Sequence, residues 1–156
     1  GGREGIMDYG NAITVIGVKE AQATLARAKS RMGSAELSFK RSAAVIDGWI
    51  QRNFREEGGK VGGWAPLADS TIESRMRRRN KTGAIRILQD TGTLRMKWKH
   101  TWSKNHVAVV SAVEYGIFHE TGTSKMPQRR ILPTMEEIWP SIEKLFDEHI
   151  RRALKP

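Results

Sequence analysis

Apolar residues recur at helical spacing through the first third of the chain. Val18, Ala21, Leu25, Ala28, Met32, Ala35, Phe39, Ala43, Ile46, Ile50 and Phe54 take ten steps over 36 residues, the α-helical period. The pattern predicts one long helix, or two collinear ones, over 18–57. The β-branched residues 12–17 predict a short strand ahead of it, within an N-terminal segment 1–17. Four glycines within 58–63 then predict a flexible loop. Ser70 and Glu73 have the spacing of a capping box that opens a short helix ending in Arg75, Arg77, Arg78, Arg79 and Lys81. Next, Met96, Trp98, His100 and Trp102 alternate with polar residues, and Val107, Val109 and their neighbours follow a turn at 103–105. This predicts an antiparallel hairpin with one half-buried face. A short helix closed by Gly122 comes after it. A second capping box, Thr134 with Glu137, opens a final helix over 134–154, whose stripe Met135, Ile138, Trp139, Ile142, Leu145, Phe146, His149 and Ala153 is crossed by Pro140. That proline is expected to kink or restart the helix. The expected fold is α+β: one domain over 1–156, with a small antiparallel sheet packed against a long N-terminal and a C-terminal helix, and a loop, short-helix and hairpin core over 58–133.

Length sharpens one point. A helix over 18–57 would extend roughly 55–60 Å, whereas a domain of this size has a radius of gyration of roughly 15 Å. Part of the stripe must therefore break or meet another subunit, and Leu25 and Met32 are the expected assembly contact.

Charge narrows the function classes. Lys and Arg number 27 against 17 Asp and Glu, a formal charge of +10, which suits work beside a polyanion. Cysteine is absent, so disulfides, thiolate metal sites and cysteine nucleophiles are excluded. No apolar run has the length of a membrane helix, and residues 1–10 lack the apolar core of a signal peptide. The four histidines, His100, His106, His119 and His149, form no metal-ligand spacing, and His119-Glu120 lacks a second histidine one turn on. The glycine loop lacks the phosphate-binding pattern and follows a helix rather than a strand. No catalytic set, metal or cofactor is expected. The cluster Arg75, Arg77, Arg78, Arg79 and Lys81 is expected to face a nucleic-acid backbone or an acidic partner, without an element that reads bases.

A series of motifs in the second half carries more specific information. Trp64-x-Pro66-Leu67 precedes Ser70-Thr71. Then come Ile87-Leu88-Gln89-Asp90-Thr91-Gly92-Thr93-Leu94-Arg95, the hairpin, Tyr115-Gly116-Ile117-Phe118-His119-Glu120-Thr121-Gly122, and Pro127-Gln128-Arg129-Arg130-Ile131-Leu132. This order, over about residues 39–154, resembles the phage virion-morphogenesis family of Mu-like tail-completion and neck proteins. Gly116 stands where that family usually has Ala, and Ile131 where it has Phe. The resemblance implies a structural protein rather than an enzyme, found at the head–tail junction of the virion and in the host cytoplasm before assembly. It would form a homo-oligomeric ring around the DNA passage and contact other neck, connector or tail proteins. A non-specific, backbone-reading DNA-binding module is the competing reading. Trp64, Pro66, Leu67, Thr91, Gly92, Leu94, Tyr115, His119, Gly122, Pro127 and Arg129 are then fold-defining. Tyr115 and His119 are expected to orient their helix through hydrogen bonds, Thr91 or Thr93 to cap the segment at Leu94, and Trp64 and Pro66 to pin the glycine loop to the core.

Overall fold

A computed structural model describes residues 35–79 and 85–153. Leu25, Met32, Lys81 and the expected strand over 12–17 lie outside the described residues, as does the side chain of Arg79. The described chain is α+β, with five helices and a two-stranded antiparallel sheet. In order these are α1 (Glu36–Arg55), a 3-10 turn (Gly59–Val61), α2 (Asp69–Arg79), α3 (Thr93–Met96), β1 (Trp98–Trp102), β2 (Val107–Ser111), α4 (Gly116–Thr121) and α5 (Met135–Ala153).

Helix α1 is the centre of the packing. Its apolar stripe is buried at every described position, from Ala35 and Phe39 through Ala43, Ile46 and Ile50 to Phe54. The helix contacts both strands and α5. Ile138 and Ile142 bring α5 into the same core, and Phe39 meets Phe146 edge-on at 5.0 Å. Each fully buried large side chain contributes about 1.5–3 kcal/mol through removal from water. Ser38 and Ser42, also buried, keep this face narrow, and the Ser42 hydroxyl donates to the Ser38 carbonyl at 2.8 Å.

The hairpin register pairs Trp98 with Ser111, His100 with Val109 and Trp102 with Val107. Val107 and Val109 are buried against α1, while β1 is exposed beyond Trp98. The expected alternating face on β1 is therefore corrected. Met96 belongs to α3 and is 71% exposed, and only Trp98 reaches the core. Helix α1 lies against both strands, and the side chains that the contact buries fully are Val107 and Val109 of β2.

Two further expectations change, and a third, at Pro140, is narrowed. The glycine loop is a defined turn. Gly58 and Gly62 flank the 3-10 turn at φ 88° and 87°, and the Gly58 carbonyl accepts from the amides of Val61 and Gly63. A Cβ on Gly58 would stand 2.5 Å from Trp64, so glycine is what lets the turn close onto that indole. Helix α2 begins at Asp69, with the Ala68 carbonyl accepting from Thr71 and Ile72. Ser70 thus lies inside the first turn and does not cap it. Helix α5 runs through Pro140 without restarting. The missing N–H frees only the carbonyl of Glu136, an exposed residue where water can satisfy it. The second capping box forms as spaced: the Thr134 amide donates to Glu137 Oε2 at 2.7 Å, and the Glu137 amide donates to Thr134 Oγ1 at 3.4 Å. No helix among the described residues is long and apolar enough to cross a membrane.

Candidate functional site

The motifs come together in space. Pro66, Leu67, Thr91, Gly92, Leu94, Tyr115, His119, Pro127 and Arg129 line one cleft of about 510 Å³, although Pro66 and Arg129 are 63 residues apart in sequence. Trp64 and Gly122 stand behind this lining. Trp64 is buried, packs edge-on against Phe54 at 5.2 Å, and donates from Nε1 to the Arg130 carbonyl at 2.8 Å. It pins the glycine turn as its position implied. The ring of Pro66 is exposed, and what that residue supplies is its carbonyl. Gly122 closes α4 at φ 73°, and a Cβ there would meet the Gln128 amide nitrogen at 2.9 Å.

Arg129 organises this region. It is 6% exposed and donates from Nε to the Ala65 carbonyl and from Nη2 to the Pro66 carbonyl, each at 2.8 Å. Its amide donates to the His119 carbonyl at 2.7 Å. One residue therefore ties the Trp64–Leu67 segment to α4, through its side chain on one side and its amide on the other. Burial and the neighbouring Arg75 both hold its pKa below the ordinary guanidinium value. The next residues are held by side chains rather than by sheet pairing. Asn53 Nδ2 donates to the carbonyls of Arg130 and Ile131, and Glu120 Oε2 accepts from the amides of Ile131 and Leu132 at 2.6 and 3.1 Å. Burial raises the Glu120 pKa against these two amides and Arg130, which lower it.

On the other wall, the Asp90–Gly92 turn leads into α3. Gly92 takes φ 77°, and Thr91 Oγ1 accepts from the Thr93 amide at 3.3 Å and lies 2.8 Å from Thr93 Oγ1. The Thr91 hydroxyl thus closes a local turn ahead of α3, whose N-cap is Gly92 with no side-chain cap, so the expected cap by Thr91 or Thr93 is corrected. Leu88, in the same lining, is buried at φ 57°. That left-handed conformation costs a non-glycine residue about 1–2 kcal/mol.

Tyr115 and His119 meet through their rings, edge to face at 6.3 Å, and not through hydrogen bonds. Tyr115 is 45% exposed, and the buried His119 Nδ1 has no hydrogen-bond partner among the described residues. Burial first, then Arg129 and Arg75, lower the His119 pKa. The expected hydrogen-bonding role is therefore corrected: one turn of separation brings two rings together, while the polar atom of the histidine stays unsatisfied.

The basic cluster divides. Arg75 turns inward. Its side chain is 12% exposed, donates from Nη1 to the Arg86 carbonyl, and lines the cleft 3.8 Å from Asp90. Arg78 reaches the other oxygen of Asp90 at 3.0 Å, and Arg77 pairs with Glu73 one turn away in solvent. The sequence signalled the positive charge of α2 but not that Arg75 joins Arg129, because i and i+2 positions on a helix point in different directions. The histidines do not gather: His100 faces Asp47, and His106 bonds Ser103 in the hairpin turn. Among the described residues no group of three His, Asp or Glu side chains is placed to hold a metal ion. Glu120 accepts from backbone amides and Asp90 is held by arginines. No family model, curated protein or solved structure matches this chain.

Proposed function

We propose that this chain is a structural virion protein of a tailed phage, a head–tail joining or tail-completion protein that assembles as a ring around the DNA passage. The observation that carries this reading is the convergence of nine motif residues, drawn from four separate segments, on one cleft. Residues that serve only local turns need not share a surface. Residues that do share one, and are held there by Arg129, Asn53 and Trp64 across more than 60 positions of chain, build a surface for a neighbour. The strong positive charge fits subunits that surround DNA without reading it. Closed rotational symmetry is the expected arrangement of identical subunits.

Disrupting the gene in a phage that encodes the chain tests this reading. Filled heads and separate finished tails should accumulate, purified protein should restore joining in vitro, and the chain should occur at fixed stoichiometry in intact particles. Normal joining in its absence would refute the reading.

A second reading, a non-specific DNA-binding module, draws on the exposed Lys97, Lys99 and Lys104 of the hairpin. It predicts salt-steep, sequence-independent binding by the isolated chain and no defect confined to head–tail joining.

A further inference from the structure

We propose that the cleft is a binding site for an acidic peptide segment, a carboxylate flanked by apolar side chains on a partner protein. Its charge is unbalanced. Arg129 is buried in the lining, Arg75 beside it is 12% exposed along its side chain, and Lys125 adds an exposed cation at the same cleft. Asp90 is the carboxylate among the lining residues, and it is already shared by Arg75 and Arg78. Among the described residues Arg129 forms no ion pair. Its side-chain hydrogen bonds among the described residues run from Nε and Nη2 to two carbonyls. A buried guanidinium held only by neutral carbonyls is short of counter-charge, and a carboxylate supplies that charge with strong, directional hydrogen bonds. His119 Nδ1, buried in the same lining, has no hydrogen-bond partner among the described residues.

The rest of the lining selects a peptide. Leu67, Leu88, Leu94 and Pro127 give apolar walls, and the φ 57° backbone of Leu88 is strain stored in that wall. Nucleic acid is disfavoured here. A phosphate backbone is matched by exposed, hydrated cations, whereas Arg129 is buried and Arg75 only 12% exposed, in a cleft of about 510 Å³ with no room for a duplex. The inference goes beyond the head–tail reading and does not depend on it, since peptide binding is a property of the isolated chain.

Calorimetric titration of the full chain with a blocked Leu-Asp-Leu tripeptide and its Leu-Asn-Leu counterpart tests it. The Asp peptide should bind saturably at millimolar concentrations, and the Asn peptide about tenfold or more weaker, the effect of losing a hydrogen bond to a charged group. Thr71 lines the cleft in the first turn of α2, where an acidic residue suits the helix dipole. Thr71→Glu should therefore weaken the Asp peptide several-fold while leaving the circular dichroism and the thermal midpoint in place, and Lys125→Glu should act in the same direction. Arg129→Lys should abolish binding, and its own thermal midpoint shows whether it still folds. Equal affinity for the two peptides, no saturable binding, or insensitivity to Thr71→Glu would overturn the proposal. So would displacement of the Asp peptide by inorganic phosphate or a single-stranded oligonucleotide at lower concentrations than a competing carboxylate peptide. Failure here with intact head–tail joining in vivo would remove the peptide site and leave the virion reading standing.

Discussion

Glu137 shows how much one side chain can hold in place. It caps α5 through Thr134 and takes both Arg130 nitrogens at 2.7 Å, and the hydrogen bonds from Arg130 lead in lowering its pKa from 4.5 to about 2. The folded-state value lies below the unfolded one, so the contribution is fully present above the ordinary carboxylate range and is lost as pH falls toward the depressed value. Glu137→Gln should destabilise the chain by about 1 kcal/mol at neutral pH, a figure kept small because the pair is partly solvated. It should also flatten the acid limb of stability measured by urea unfolding across pH. His119 also has a folded-state pKa below its unfolded value, for the opposite physical reason: burial and two arginines penalise its charged form rather than a partner favouring it. Its neutral form is the one compatible with the fold, so its share of stability is present above the ordinary histidine value of 6.5 and is lost as pH falls through the folded-state value. An NMR titration of the His119 ring should place its midpoint below 6.5, and a midpoint at or above that value would contradict the packing described here. The Thr134–Glu137 box was legible in the sequence because it is a local spacing of three. The contribution of Arg130 was not, because it enters from outside the helix.

At the scale of elements, legibility follows the source of each signal. The stripe of α1 is read correctly at every described position because a helix facing a single core must repeat at its own period. The β1 face was misread because alternation states which residues share a side and not whether anything covers that side. The 3-10 turn was misread as loose because its order comes from Trp64 and from backbone hydrogen bonds, which composition does not report. The segment 129–132 had no periodic signal at all, since its amides and carbonyls are satisfied by Asn53, Trp64 and Glu120, reaching from elsewhere. Asn53 is fully buried on the core face of α1 beside Phe54, the sequence sign that this helix serves a polar segment. Asn53→Ala should cost about 1–3 kcal/mol by withdrawing the amide from the buried Ile131 carbonyl, while Trp64 still serves the Arg130 carbonyl, against about 2–5 kcal/mol for emptying the Ile46 site with Ala. Chemical denaturation of the two variants compares them directly. A near-silent Asn53→Ala would show that water replaces the amide, and that the 129–132 segment does not rely on α1.

For the whole molecule, the cleft was legible as a set of motif residues but not as a cavity, and the charge was legible as a number but not as two populations. Arg77 and Arg78 are 78% and 62% exposed along their side chains, whereas Arg75 is 12% exposed and shares the cleft with Arg129. The two populations should respond differently to reversal. Changing Arg77, Arg78 and Arg79 to Glu takes the formal charge from +10 to +4 (a change of −6). The described pairs lost are those with Glu73 and Asp90, and solvent-exposed pairs of this kind are worth about 0–1 kcal/mol each. The thermal midpoint should therefore move by only a few degrees. Arg75→Glu changes the charge by only −2, yet it sets a carboxylate beside Asp90 within the cleft lining and abandons the Arg86 carbonyl. It should be the more destabilising of the two despite the smaller charge change, because an unpaired charge with little solvent costs several kcal/mol. If the exposed arginines face DNA or an acidic neighbour, the triple variant should fold normally and fail to join heads to tails, and any nucleic-acid binding should fall steeply with salt and show no sequence preference. A triple variant that joins as well as the parent would remove α2 from the assembly surface and leave the inward-facing cations as the part of this charge that function uses.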